Sequence, residues 1–111
     1  MIFVETRPFS RRRAEQLSDE QFRLLQRALI LNPDAGKLIP GAGGLRKLRW
    51  GSEGRGKRGG VRLIYYSVPA RELILLLFLY PKNEQNDLTP DQVRTLSALV
   101  KSELRDLRGK P

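Results

Sequence analysis

Two cations sit where a small protein can hold them rigidly. Arg62 lies inside VRLIYYSV, Val61 to Val68, whose β-branched and aromatic residues mark a strand and whose period of two puts Arg62, Ile64 and Tyr66 on one face. Lys82 closes the apolar run LILLLFLY within YPKNE; a strand-end lysine is ordinary, yet residues at that location often furnish sites on a rigid scaffold. Further cations precede them: Arg46, Lys47 and Arg49 in LRKLRW, then Arg55, Lys57 and Arg58 in GSEGRGKRGG. Guanidinium and ammonium groups gathered in this way can meet phosphates.

The missing residue types narrow that chemistry. The chain has no histidine and no cysteine, so the usual zinc sites, thiolate nucleophiles and imidazole bases are excluded. Catalysis, if any, runs on Lys, Arg, Tyr or carboxylates, with no cofactor expected. Lysine and arginine outnumber the acids by 21 to 12 for a net charge of +9, which favours polyanionic partners. Seven of those cations fall between Arg46 and Arg62 against the single acid Glu53, so the charge is focused rather than spread.

The glycine-rich segment admits several readings. Gly51 to Arg58 matches the first seven positions of the phosphate-loop pattern GxxxxGK[ST], but Arg58 stands where a hydroxyl should hold magnesium, and a strand follows instead of a helix. A disordered RGG-like tail suits the composition and not the position between two strands. What remains is a hairpin loop of about ten residues whose glycines allow close backbone approach and whose Arg55, Lys57 and Arg58 meet phosphates. On side-chain chemistry alone a merely solvated cationic loop fits equally well. Arg62 is open in the same way, either a salt-bridged edge residue or a cation aimed into a groove. Trp50, Tyr65 and Tyr66 read more readily as packing residues than as platforms for stacked bases.

The elements that must position these groups follow from patterning. Met1 to Glu5 reads as a strand, and Pro8 suits the first turn of a helix through SRRRAEQL that carries Arg11, Arg12 and Arg13. Ser18 to Gln21 has the form of a capping box, opening a second helix with Phe22, Leu25, Ala28 and Leu29 on one face; Asn32 and Pro33 stop it. After GKLIPGAGG, read as a flexible stretch, three strands are expected at Leu45 to Trp50, Val61 to Val68 and Leu73 to Tyr80. The last is apolar at consecutive positions, as for a central strand covered on both faces. Thr89 to Gln92 forms a second capping box, followed by the stripe Val93, Leu96, Val100, Leu104 and Leu107. The expectation is a single α+β domain over 1–111, with two N-terminal helices and one C-terminal helix packed on a small, mostly antiparallel sheet. No apolar run approaches the roughly 20 residues of a membrane helix, and MIFVETRPFSRRR reverses the order of a secretory signal, so a soluble cytoplasmic protein is expected.

GGLRKLRW, GKRGGVRLIYY and LYPKNEQNDLTPDQV, in that order, resemble toxins of the RelE superfamily, particularly the HigB type, over nearly the whole chain. Members are small basic proteins that cleave messenger RNA, usually in the ribosomal A site, and are held inactive by an antitoxin encoded beside them. For the HigB type this is a helix-turn-helix protein of the HigA kind. The resemblance implies a metal-independent endoribonuclease in which the ribose 2′-OH attacks the adjacent phosphate, with messenger and ribosomal RNA as partners. It implies catalytic roles for Arg62, Lys82 and Lys57, and RNA or ribosome contacts by Arg46, Lys47, Arg49, Arg55, Arg58 and Asn83. Asn83 stands where the best-known members have arginine, and Thr89 lies near their base-stacking tyrosine. A non-enzymatic toxin of the same fold, like the gyrase-inhibiting ParE branch, or an RNA-binding module is the alternative.

Overall fold

The computed structural model describes residues 1–51 and 60–108. The chain enters as strand β1 (Ile2–Glu5) and turns at Thr6 into helix α1 (Arg7–Gln16), with Pro8 in the first turn where a missing N–H costs nothing. Helix α2 (Asp19–Leu31) opens on the expected capping box. Ser18 Oγ accepts from the Gln21 N–H at 3.1 Å, and Gln21 Oε1 accepts from the Ser18 N–H at 2.9 Å. Strands β2 (Lys37–Leu38), β3 (Arg46–Trp50) and β4 (Val61–Val68) follow, then a single 3-10 turn at Pro69–Arg71, strand β5 (Leu73–Pro81) and helix α3 (Pro90–Arg108). No helix among the described residues is long and apolar enough to cross a membrane.

The five strands form one sheet in the order β1-β5-β4-β3-β2. Only β1 and β5 are parallel; the other neighbours are antiparallel. The α+β expectation holds, with one correction: the stretch read as flexible carries β2, so four strands and not three separate α2 from α3. Two residues are too few for any period to appear in the sequence. What makes them a strand is pairing with Lys47 and Arg46 and the Ile39 N–H donated to the Leu45 carbonyl at 2.9 Å. Glycine is required in this hairpin at Gly44, whose φ of +103° suits no L side chain and whose Cβ would stand 2.9 Å from the Tyr66 ring.

Strand β5 lies inside the sheet and is buried on both faces, which is why its run is apolar throughout. On one face Phe9, Leu17, Phe22, Leu25 and Leu29 of the α1–α2 layer pack against Val61, Leu63, Tyr65, Ile74, Leu76 and Leu79. On the other, Leu96 and Val100 of α3 pack against Ile64, Leu73, Leu75, Leu77 and Tyr80. The strict alternation breaks once. Ile64 faces Phe78 while Tyr65 faces Leu76, leaving Leu77 as the extra residue of a β-bulge. Thr6 pins this bulge: it is buried, and its Oγ1 lies 2.9 Å from the Leu76 carbonyl and 3.1 Å from that of Leu77. Because of the extra residue, Tyr80 turns to the α3 side instead of the α1–α2 side.

Candidate nucleic-acid interface

Alternation in β3 separates its cations. Leu48 and Trp50 pack toward the α1–α2 core, and Arg46 lies on that same side. Lys47 and Arg49 therefore belong to the opposite face, which they share with Arg62, Ile64 and Tyr80. The register sets them in two rows. Lys37 stands opposite Lys47 across β2 and β3, and Arg49 stands opposite Arg62 across β3 and β4, with Tyr80 next in line on β5. Two like-charged pairs directly opposed on one face destabilise a sheet unless an anion offsets them, as Asp87 does for Lys47. Helix α3 packs over β5 on this face, while Arg49 is exposed and Lys47 and Arg62 are half-buried.

Among the described residues Arg62 has no carboxylate partner; its one polar contact is a 3.5 Å bond to the Val61 carbonyl. Its guanidinium is thus open to an incoming phosphate. Beside it the buried Tyr80 phenol has its pKa pushed up, first by burial and then by Asp87, with Arg62 pulling the other way. It stays neutral and donates to the Asn86 carbonyl at 3.3 Å. Lys47 pairs with Asp87 at 2.6 Å, and that contact, helped by the more distant Arg49, holds the Asp87 carboxyl below the usual carboxylate range.

The loop after β5 forms the rim. Lys82 and Asn83 are exposed there, and the Lys82 N–H extends the ladder by donating to the Gly60 carbonyl at 3.3 Å. Glu84 is tied to Arg12 of α1 at 2.7 Å, and that guanidinium also stacks over Phe78 at 4.8 Å. Gln85 bonds reciprocally with Gln92 in the first turn of α3, which itself begins on the Thr89 and Gln92 capping box.

Of the residues singled out in the sequence, Lys47, Arg49 and Arg62 come together on one face, with Lys82 and Asn83 at the loop that follows β5. Arg46 stands apart. Its Nη1 donates to the Gly36 carbonyl at 2.7 Å and its guanidinium pairs with Asp34 at 3.4 Å, so it fastens the α2–β2 connection on the opposite side. Arg55, Lys57 and Arg58 lie outside the described residues. The strand expected after them is β4, paired with β3 through Val61 and Trp50, so no helix N-terminus follows the phosphate-loop lookalike. Three residues of the face went unread in the sequence: Lys37, Tyr80 and Asp87. Tyr80 was hidden by the bulge and Lys37 by the brevity of β2.

Every described element of this arrangement lies within residues 2–108, which match the family model of the RelE toxin of the RelE/RelB toxin-antitoxin system. The chain belongs to the RelE toxin family. Its fold agrees with the solved structure of a doubly substituted E. coli toxin RelE in the free state, with a TM-score of 0.54 over 87% of this chain and 93% of that one. Identity between the two is 13%, so this likeness speaks for the fold alone. Membership in a toxin-antitoxin family implies a cognate antitoxin as partner.

Proposed function

We propose that this RelE-family toxin is a ribosome-dependent, metal-independent endoribonuclease of the HigB type, restrained by an adjacent helix-turn-helix antitoxin of the HigA kind. The observation that carries the reading is the two pairs of opposed like charges, Lys37 with Lys47 and Arg49 with Arg62, on one sheet face. Such a face is stabilised by a polyanion laid across it, and the family makes messenger RNA the fitting one.

In the reaction, O2′ of one nucleotide bonds to the adjacent phosphorus and the P–O5′ bond breaks. The proton leaves O2′ for a base, and O5′ takes up a proton, yielding a 2′,3′-cyclic phosphate and a 5′-OH end. The phosphate gains negative charge on the way. Arg62, free of any counter-ion among the described residues, stabilises that charge, with Lys82 and Lys57 as its partners. With no imidazole in the chain, proton transfer falls to lysine amines. Arg49 and Lys47 hold flanking phosphates, and Arg55, Arg58 and Asn83 extend the contact to message or ribosome. A flat row of cations grips RNA without forcing O2′ into line with O5′; the ribosomal A site supplies that alignment.

Primer extension on cellular messages after induction is the test. New 5′ ends in phase with codons are expected. Growth arrest without new ends, together with inhibited gyrase supercoiling, would transfer the chain to the non-enzymatic alternative.

A further inference from the structure

A cavity of about 410 Å³ opens beside the cation rows, between the β2–β3 hairpin and the loop that carries Asp87. Ligand sites run from roughly 300 to 1,000 Å³, so this one has room for a nucleobase together with its ribose. Ile39 and Pro40 provide an apolar wall on which a flat ring rests. Lys37, Lys47 and Arg49 bring positive charge, and Asp87 is the one acid of the lining. That acid is unexpected, since a carboxylate in a phosphate-binding groove repels the ligand.

Asp87 is nevertheless held firmly. Lys47 grips Oδ1 at 2.6 Å, Gln85 Nε2 donates to the Asp87 carbonyl at 2.8 Å, and Tyr80 donates to the carbonyl of the preceding Asn86 at 3.3 Å. Gln85 is itself locked to Gln92 of α3. The loop and helix thus fix the backbone at Asp87, and Lys47 of the sheet orients its exposed carboxylate, an arrangement that favours recognition. Lys47 occupies Oδ1 and leaves the second oxygen available, and the neighbouring cations keep the group ionised, so it only accepts hydrogen bonds.

We infer that this cavity is a base-reading subsite for a nucleotide flanking the cleaved phosphate, in which Asp87 accepts from the exocyclic amino group of adenine, cytosine or guanine and disfavours uracil. The inference rests on the nuclease reading above. Uracil presents its single N–H between two carbonyl oxygens, which a carboxylate repels, whereas the other three bases offer an amino group. Recognition of unstacked bases along their pairing edges is the usual mode for single-stranded RNA. The reach is right as well: Arg49 lines the cavity and faces Arg62 one strand away, a spacing of about 5 Å.

The test is single-turnover cleavage by the full-length toxin on ribosomes programmed with messages that differ only at one base beside the cleaved phosphate. Affinity for oligo(A) and oligo(U) is measured on the same proteins. Wild type should favour the amino-bearing bases over uracil by roughly 10- to 100-fold, the range of a good base contact. Asp87→Asn, whose amide also donates, should bring that ratio close to one without loss of cleavage on uracil. Ala35→Phe, which fills the cavity from an exposed position, should abolish the preference too. An equal gain on all messages with Asp87→Asn would mean that Asp87 only tunes charge, and would overturn the subsite while leaving the nuclease intact. A wild type that binds oligo(A) no better than oligo(U) would overturn it also, and a wild type that cleaves no message would overturn both readings.

Discussion

Arg62 and Arg46 make opposite predictions although both are strand arginines. Arg62 has no acidic partner among the described residues, so Arg62→Ala strands no buried charge and removes little apolar area. Its melting curve should stay within about 0.5 kcal/mol of wild type. Its cleavage rate should fall by roughly 10² to 10³, the usual value of a positioned group that stabilises developing charge. Arg46 is bonded to the Gly36 carbonyl and to Asp34, and Arg46→Ala should cost about 1.5 to 3 kcal/mol of stability, read in urea denaturation, with cleavage by the folded fraction unchanged. The position of Arg62 was legible in the sequence because a half-buried strand carries a period of two. The same period separates Arg46 from Lys47 and Arg49, but the resemblance to known toxins grouped all three as RNA-binding residues. Asp87 was not legible at all, since its pairing with Lys47 spans 40 positions and depends on how the loop after β5 folds back.

At the scale of elements, the bulge in β5 is what brings Tyr80 into line with Arg62 and Arg49. Thr6 stabilises it through the Leu76 and Leu77 carbonyls, and Thr6→Val keeps the shape while removing the hydroxyl. The cost should be about 1 to 3 kcal/mol in equilibrium unfolding, with a changed environment for the Tyr80 ring visible by NMR. The cap of α3 couples to the site by another route. Thr89→Ala should lose about 1 kcal/mol and loosen Gln92, hence Gln85 and the loop that carries Asp87, which hydrogen exchange at residues 82–89 would register. Both capping boxes were readable from four-residue patterns, because their bonds are local. The bulge was not. LILLLFLY is apolar at every position, so the sequence holds no phase from which a one-residue slip could be seen.

For the whole molecule, the net charge of +9 sets how it meets its target. If about six phosphates are contacted, log affinity for ribosomes should fall with log salt by roughly 0.7 to 0.9 per phosphate, and a flat response would remove the electrostatic part of the binding. Stability should respond to alkali through the buried phenols. Tyr65 and Tyr80 both have pKa values raised, first of all by burial, so the folded chain holds these protons more tightly than the unfolded chain does. Their contribution is therefore complete below about pH 10, the unfolded value, and is lost as pH rises through that value toward the folded one. Melts taken across that range should show the loss above about pH 10. The central claim is that the open cationic face of the sheet carries out RNA cleavage, and the most direct measurement is single-turnover cleavage of an A-site message by the folded Arg62→Ala, Lys82→Ala double variant at saturating protein. A drop of at least about 10² in rate, with thermal melting and antitoxin binding retained, is the predicted result. Cleavage near the wild-type rate by that folded variant would contradict it and remove this face from the chemistry.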